Sequence, residues 1–309
     1  MQAYGFNTIG RWSEQDAFKA AGHPVPWCNT TSFMKDYAKR RSYKNGESGF
    51  PNETLPVFDA EWPEFCVEYA EEQVAHLKND PWLIGHFSDN ELPFRPDALT
   101  KYLALPKEDA GYRGAWAWVR ENKVKESRFD DEKIQQAFLE HVARLYYETV
   151  AKALKKADPN HLYIGSRLHG RCINEATITA AGACDVISIN YYHRWEPEED
   201  RMEDWEDWSG RPFFISEFYA MKVESENTVP EGVGYRVLNH GDAAAFYHTH
   251  TVPLLKKVPS CVGWHWFKYA DDTPEWQKGI VSNDGKVHQT LVEGMKIVND
   301  QVYALRGLR

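Results

Sequence analysis

Apolar residues along this chain follow two alternating patterns. Short continuous apolar runs, bounded by turn-forming residues, indicate buried strands. Apolar positions that recur three and four residues apart indicate helices between them. We predict strands at 82–87, 162–169, 185–192, 211–217 and 262–267, and helices over 62–78, 130–158, 173–181, 242–257 and 289–300.

This alternation of helices with wholly apolar strands predicts a parallel sheet covered by helices. The 309 residues contain no internal repeat and no linker rich in Gly, Ser or Pro, so we predict an α/β fold, a TIM (β/α)8 barrel that forms one domain over residues 1–309. About seven strands are found where closure needs eight, and residues 5–10 look like the second. Either residues 25–28 are misinterpreted as a strand or the first strand is missing. We favour the missing strand, which would make the chain a fragment.

Three stretches lack a clear period. Residues 29–58 are predicted to form a long loop, and residues 92–128 a long excursion from the sheet. The acidic run 196–206 is predicted to be a solvated loop, because its spacing fits no calcium-binding loop. A helix is expected to open at Ser13, which resembles a helix cap.

Two of the predicted strands end in a carboxylate. Glu91 follows the strand at 82–87, and Glu217 ends the strand at 211–217, 126 positions later (217 − 91). The C-terminal strand ends of a parallel barrel meet on one face, so these carboxylates should lie close together. Glycoside hydrolysis requires one protonated carboxyl group and one ionised one. The pair predicts a retaining glycoside hydrolase; a helix-start carboxylate and a structural ion pair are the alternatives.

Residues beside these strand ends are candidates for substrate binding. Asn90 could bind a sugar hydroxyl group next to the bond that is broken, and Tyr192 or Arg11 could keep Glu217 ionised. Trp266 stands at a strand exit and could offer a flat face to a sugar ring. Turn formation, packing and a surface ion pair are the structural alternatives for these side chains. The other candidates are Asn190, His169 and His193.

Composition limits the partners. The net charge of −10 argues against nucleic-acid binding, and no run of apolar residues is long enough for a transmembrane helix. The 5 Cys residues are scattered, which indicates unpaired thiols rather than disulfides or a zinc site. His248 and His250 diverge on a predicted helix, so no metal site is predicted. Among the 12 Trp residues, Trp116 and Trp118 are weaker candidates for a cleft wall.

Several motifs together resemble clan A of the glycoside hydrolases. They are Asp89-Asn90-Glu91, Asn190-x-Tyr192, Ile215-Ser216-Glu217-Phe218 and Trp264-His265-Trp266. Within the clan, residues 5–13 and 82–92 look most like glycoside hydrolase family 50, the β-agarases, and residues 263–269 fit that family as well. The resemblance covers nearly the whole chain.

This resemblance implies hydrolysis of β-1,4 linkages in agarose with retention, no cofactor, and an oligo- or polysaccharide as the binding partner. It also implies Glu91 as the acid/base and Glu217 as the nucleophile. The family is usually exported, which implies a secreted or periplasmic full-length form, although no signal peptide opens this chain.

Two departures from the family leave alternatives open. The sequence that normally precedes the barrel is absent, and Gly10 stands before Arg11, so the arginine expected on the second strand is not aligned. The alternatives are another clan A β-glycosidase, such as a β-galactosidase or porphyranase, and a non-catalytic sugar-binding barrel. Exo or endo action and the oligomeric state are left open.

Overall fold

The strands of this protein are short and parallel. The computed structural model describes residues 1–13, 22, 24–45, 49–224 and 234–308. Every pair of named strands within these ranges is parallel, which confirms the predicted α/β class. The strands are β1 (Trp27–Thr30), β2 (Leu83–Phe87), β3 (Leu162–Tyr163), β4 (Leu168–His169), β5 (Ile187–Asn190), β6 (Phe213–Phe218), β7 (Ala220–Lys222), β8 (Tyr235–Val237) and β9 (Cys261–Trp266).

The main strands form one row. Strands β1, β2 and β3 make one sheet, strands β4, β5, β6 and β9 make a second, and β7 pairs with β8. The carbonyl group of Tyr163 accepts hydrogen bonds from the N–H groups of Asp185 (2.9 Å) and Val186 (3.2 Å), which joins the first two sheets. At the outer edge Ile9 forms a single bridge to Trp27 in β1. Parallel segments therefore follow one another from Ile9 to β9.

The two ends of this row lie next to each other. Thr8 Oγ1 is 3.3 Å from His265 Nε2 in β9, and Gly10 packs so closely against the same ring that a Cβ would collide with it. No ladder of backbone hydrogen bonds joins β9 to Ile9 among the described residues. Parallel sheets are therefore established, and closure into an eight-stranded barrel stays a prediction.

The strand predicted at 5–10 is reduced to the bridge at Ile9. Gly5 has a φ of 76° and ends a short 3-10 helix, Gln2–Tyr4, so the chain turns where a strand was expected. Residues 25–28 overlap β1, which pairs with β2, so their interpretation as part of a strand is correct. The helix expected to open at Ser13 lies outside the described residues.

Helices cover the sheets. Helix α5 packs against α2, α3 and α6, and α8 packs against α9. The helices are α1 (Phe33–Asn45), α2 (Trp62–Gln73), α3 (Ala98–Leu103), α4 (Ala110–Glu121), α5 (Glu132–Ala157), α6 (Glu175–Ala181), α7 (Glu199–Ser209), α8 (His240–Lys257), α9 (Gln289–Asn299) and α10 (Val302–Leu305). The five predicted helices are confirmed as α2, α5, α6, α8 and α9. Asp131, and not the neighbouring Asp130, caps α5 by accepting from the N–H groups of Lys133 and Ile134.

Two stretches predicted to be loops are helical. Residues 29–58 contain α1, and the acidic run 196–206 contains most of α7. Both helices are rich in charged residues, so their apolar faces give no clear period in the sequence. Helix α7 buries Met202 and Trp205, three positions apart and therefore on one face. Such helices take most of their stability from tertiary packing. Their apolar residues are few, so the helical period is weak in the sequence.

The excursion over residues 92–128 contains α3 and α4. Trp118 is buried against Phe138, with ring centroids 5.2 Å apart, so it belongs to the core and not to a cleft wall. Trp116 is half-buried and packs edge-on against Phe129. All five cysteines are buried and unpaired. None of the helices within the described ranges has the length and apolar character needed to cross a bilayer.

Candidate active site

The residues that follow β2 are polar. Ser88 and Asp89 are buried, whereas the side chain of Glu91 is 36% exposed. Glu91 has a φ of 53°, in the left-handed region that L-residues seldom adopt, and its N–H lies 3.3 Å from the carbonyl oxygens of both Ser166 and Arg167. Strained backbone of this kind is common at functional sites. It holds Glu91 beside the segment that leads into β4.

Asp89 anchors helix α1 to the end of β2. Its carboxylate accepts hydrogen bonds from the N–H groups of Met34 (2.9 Å) and Lys35 (3.2 Å) and from the hydroxyl group of Tyr146 (2.7 Å). The first N–H groups of a helix need acceptors, and a carboxylate suits them. Burial raises the pKa of Asp89 to about 7, and these hydrogen bonds and the nearby Arg11 oppose the shift. Asp89 therefore has a structural task within the acidic motif.

Removing the Asp89 carboxylate should destabilise the fold. Asp89→Ala removes the acceptor of three donors, of which the Met34 N–H and the Tyr146 hydroxyl group are buried, so we expect the free energy of unfolding to fall by about 3 kcal/mol. Urea unfolding followed by circular dichroism measures the loss. Asp97→Ala is the matched control, because that side chain is 60% exposed and should change stability by under about 0.5 kcal/mol. Wild-type stability in Asp89→Ala would contradict the anchoring role.

Glu217 is the penultimate residue of β6, and its carboxylate is buried, 7% exposed, and accepts two hydrogen bonds. Its Oε1 accepts a hydrogen bond from Arg167 Nη2, and its Oε2 accepts one from the hydroxyl group of Tyr192 at 2.5 Å. Burial lowers the pKa of Arg167, and the charge of Glu217 opposes that shift. Burial and the same charge raise the pKa of Tyr192, which keeps it a neutral donor. Both partners donate, so each oxygen of the Glu217 carboxylate is held by one hydrogen bond.

Arg11 forms no hydrogen bond or ion pair with Glu217, although the two charges interact at longer range. Its Nη1 donates to the carbonyl oxygen of Asp89 at 2.9 Å, and its guanidinium lies 4.2 Å from the centre of the exposed Trp12 ring. Burial and the neighbouring charge of Arg167 lower its pKa to about 10. Arg11 therefore supports the end of β2.

Arg167 belongs to this group of side chains, and the sequence patterns did not single it out. The segment 162–169, predicted as one strand, divides into β3 and β4 because Gly165 and Arg167 adopt positive φ angles of 75° and 57°. The guanidinium of Arg167 bridges Glu217 and Asn90, whose Oδ1 accepts a hydrogen bond from Arg167 Nε at 2.8 Å. An arginine inside an otherwise apolar strand was the signal that could have identified it.

Glu91 has weaker partners than Glu217. Asn190 Nδ2 donates to Glu91 Oε1 at 2.7 Å, and Ser216 donates to Asn190 Oδ1 at 2.7 Å, which fixes the orientation of the amide. His169 Nδ1 lies 3.8 Å from the same Glu91 oxygen. Asn190 is also paired in register with Glu217, so it links the two carboxylates. The glutamates share one site but differ in burial and in the charge of their partners.

The two remaining candidates lie at the edge of this group. Trp266 is half-buried, packs edge-on against Phe218 (5.5 Å between centroids), and donates its indole N–H to the carbonyl oxygen of Lys278 at 2.8 Å. His193 is exposed and has a φ of 64°. Its side chain makes no hydrogen bond within the part of the chain that the structure describes.

His86, Asp158 and His161 form a second polar group, which is largely buried. His86 Nε2 and His161 Nδ1 lie 2.9 Å and 2.6 Å from the same oxygen of Asp158. Their other ring nitrogens lie 3.0 Å from Asn29 Nδ2 and from the carbonyl oxygen of Asp80, respectively. All four nitrogens have polar partners, so the group is satisfied without an ion. His248 is exposed and His250 buried on α8, so these two diverge as predicted.

Comparison with known proteins identifies the family. No family model matches the chain. Beta-agarase B of Vibrio sp. (strain JT0107) is 26% identical over 99% of this chain and 36% of its own length. The solved structure of BpGH50 is 31% identical, with a TM-score of 0.87 over 99% of this chain and 70% of that one. The chain belongs to glycoside hydrolase family 50.

Membership of family 50 confirms that part of the resemblance found in the sequence. The solved structure of an exo-beta-agarase has a TM-score of 0.80 at 22% identity, over 98% of this chain and 45% of that one, which shows the shared fold. The chain spans about a third (36%) of the length of Beta-agarase B.

Proposed function

We propose that this family 50 chain cleaves β-1,4 linkages in agarose-type galactan with retention of anomeric configuration. The observation that carries the proposal is the contrast between the two glutamates. Glu217 is buried and bonded to Arg167 and Tyr192, whereas Glu91 is more exposed and bonded to the neutral amide of Asn190. Double displacement needs one carboxylate that stays ionised and one carboxyl group that exchanges protons. We assign Glu217 as the nucleophile and Glu91 as the acid/base.

In the first step, the Glu217 carboxylate attacks the anomeric carbon and forms a covalent glycosyl ester. Glu91 donates its proton to the glycosidic oxygen, so that the bond between this oxygen and the anomeric carbon breaks and the leaving sugar departs as an alcohol. Arg167 and Tyr192 hold Glu217 in place through one hydrogen bond to each oxygen. The orientation is set before substrate binds, which lowers the entropic cost of the step.

In the second step, the ionised Glu91 accepts a proton from water, and the water oxygen attacks the anomeric carbon. The ester bond to Glu217 breaks, and the carboxylate returns to Arg167 and Tyr192. Two inversions leave the product with the β configuration of the substrate. Asn190 is hydrogen-bonded to Glu91 in both steps. The hydrogen bond that Ser216 donates to Asn190 Oδ1 keeps the amide N–H directed at the carboxyl group.

The agarose-type substrate is supported by the agarases among the relatives. We place sugar hydroxyl groups beside the two carboxyl groups, where they would meet Asn90, Asn190 and His169, with Arg11, His193 and Trp266 further out. We also propose a clan A barrel that forms a single catalytic domain over residues 1–309 and uses no cofactor. The contact between Thr8 and His265 supports closure of that barrel.

The anomeric configuration of the first product tests the mechanism. We expect proton NMR during cleavage of agarose oligosaccharides to show the β anomer of the new reducing end before mutarotation produces the α anomer. Porphyran, mannan and aryl β-galactosides, tested in parallel, would identify a different substrate. Initial formation of the α anomer would contradict the double displacement, and binding of the oligosaccharides without cleavage would contradict the enzymatic function.

A further inference from the structure

Three consecutive residues of the loop between β9 and α9 make backbone hydrogen bonds to the adjacent strands or within the loop. Gln277 exchanges two backbone hydrogen bonds with Lys222 in β7, at 2.9 Å and 3.0 Å. The carbonyl oxygen of Lys278 accepts the Trp266 indole N–H at 2.8 Å. One oxygen of the buried Asp271 carboxylate accepts the N–H of Gly279 at 2.6 Å. The backbone on both sides of Lys278 is therefore held rigidly.

Gly279 is required for this arrangement. A Cβ at this position would lie 2.6 Å from the backbone nitrogen of Asp271 and 2.8 Å from the carbonyl oxygen of Val281, closer than real Cβ contacts. Both atoms belong to the backbone and cannot move aside easily. Residues 277–279 are thus built to hold one position, and Lys278 is the side chain that they present.

The side chain of Lys278 lies beside two neighbouring aromatic rings. Its Nζ is 5.3 Å from the centre of the Tyr219 ring and 5.2 Å from that of Phe267, within the range of cation–π contacts. The side chain is 16% exposed. Among the described residues the nearest carboxylate oxygen belongs to Asp272, at 3.8 Å, which is beyond hydrogen-bond distance. The Lys278 side chain is thus mostly buried, and its ammonium has no hydrogen-bond acceptor among the described residues.

This ammonium belongs to the surroundings of the nucleophile. The Tyr219 ring below it packs edge-on against the Tyr192 ring, 5.4 Å away, and Tyr192 donates to Glu217. Burial lowers the pKa of Lys278, while the charges of Asp272 and Glu217 oppose the shift. Lys278 is therefore within electrostatic reach of Glu217, yet it forms no ion pair with it.

We propose that Lys278 is a substrate-binding residue, whose ammonium donates hydrogen bonds to oxygen atoms of the sugar that occupies the subsite beside Glu217. The proposal rests on the proposed function in taking the ligand to be a galactan. A sugar oxygen supplies the acceptor that the protein does not, and hydrogen bonds from a charged donor are stronger than neutral ones. The side chain is already packed against Tyr219 and Phe267, so little side-chain freedom is lost on binding.

Affinity for an agarose-derived tetrasaccharide tests this proposal. The measurement is isothermal titration calorimetry with Glu91→Ala as the background, in which cleavage is slow. We expect Lys278→Met to weaken binding about 30-fold, the loss typical of one hydrogen bond to a charged group. Lys278→Arg keeps the charge and should stay within about 5-fold of the background. Lys286→Met, at an 82% exposed position of the same loop, is the matched control and should bind normally.

Three results would overturn the proposal. The first is unchanged affinity in Lys278→Met, which would show that the ammonium donates no hydrogen bond to the sugar. The second is equal weakening in Lys278→Met and Lys286→Met. The third is a loss of affinity in Lys278→Met that follows a lowered Tm and is shared by Lys278→Arg. Binding that depends on Lys278 in a wild-type protein that cleaves no galactan would refute the proposed function and leave this proposal standing.

Discussion

Glu217→Ala should lose almost all hydrolysis of agarose oligosaccharides, with kcat/KM falling on the order of 10⁵-fold. The variant has no group that can form the glycosyl ester, and the donors on Arg167 and Tyr192 are left facing an empty space. The release of reducing ends from the oligosaccharide measures the loss. Glu203→Ala, on the exposed side of α7, is the control and should keep the wild-type rate.

Azide separates the loss of a nucleophile from a loss of folding in Glu217→Ala. The small anion fits where the carboxylate stood, next to the positive charge of Arg167, and attacks the anomeric carbon from the same side. We expect partial recovery of turnover with an α-glycosyl azide as the product, identified by NMR. Wild-type turnover without azide, or a β-glycosyl azide, would show that Glu217 is not the nucleophile.

Glu91→Ala should slow cleavage of the natural linkage about 10³-fold, within the usual contribution of general acid catalysis. The loss should depend on the leaving group. A sugar alcohol needs a proton as it departs, whereas a dinitrophenyl group departs as a stable anion and does not. The first step with a dinitrophenyl β-galactoside should therefore remain fast, and slow breakdown of the glycosyl ester should appear as a burst of dinitrophenol in stopped-flow absorbance.

Azide gives the opposite stereochemistry in Glu91→Ala. It replaces water in the second step and attacks the glycosyl ester from the β face, so a β-glycosyl azide is expected. Glu203→Ala is again the control. An equal loss with good and poor leaving groups, or no acceleration by azide, would contradict the acid/base assignment of Glu91. The two glutamate variants thus predict azide products of opposite configuration.

Elements with a strong apolar period could be predicted from the sequence. Helix α5 has large apolar side chains three and four residues apart, so the sequence predicted it, including its end at Asp158. Strand β6 is a continuous apolar run and was also found. Helices α1 and α7 were missed, because their stability comes from a few buried residues and from groups distant in sequence, such as the Asp89 carboxylate at the start of α1.

The candidate site divides in the same way. Glu91, Glu217, Asn190 and Tyr192 could be chosen because each stands at or just beyond a strand end, where a parallel sheet collects its functional residues. The hydrogen-bond partners of these residues could not be predicted from the sequence. Arg167, and not Arg11, donates a hydrogen bond to Glu217. This depends on the left-handed backbone at Gly165 and Arg167, within the segment 162–169 that the apolar pattern predicts to be one strand.

The sequence by itself determined the alternation of strands and helices, the parallel sheet, and the two carboxylates at its strand ends, because hydrophobic period and residue type are local properties. The tertiary structure decided the partner of each carboxylate: the Arg167 ion pair of Glu217, the amide of Asn190 on Glu91, and the place of Lys278 above Tyr219. These contacts join residues far apart in sequence. Their geometry depends on how the loops pack, and neither period nor composition encodes it.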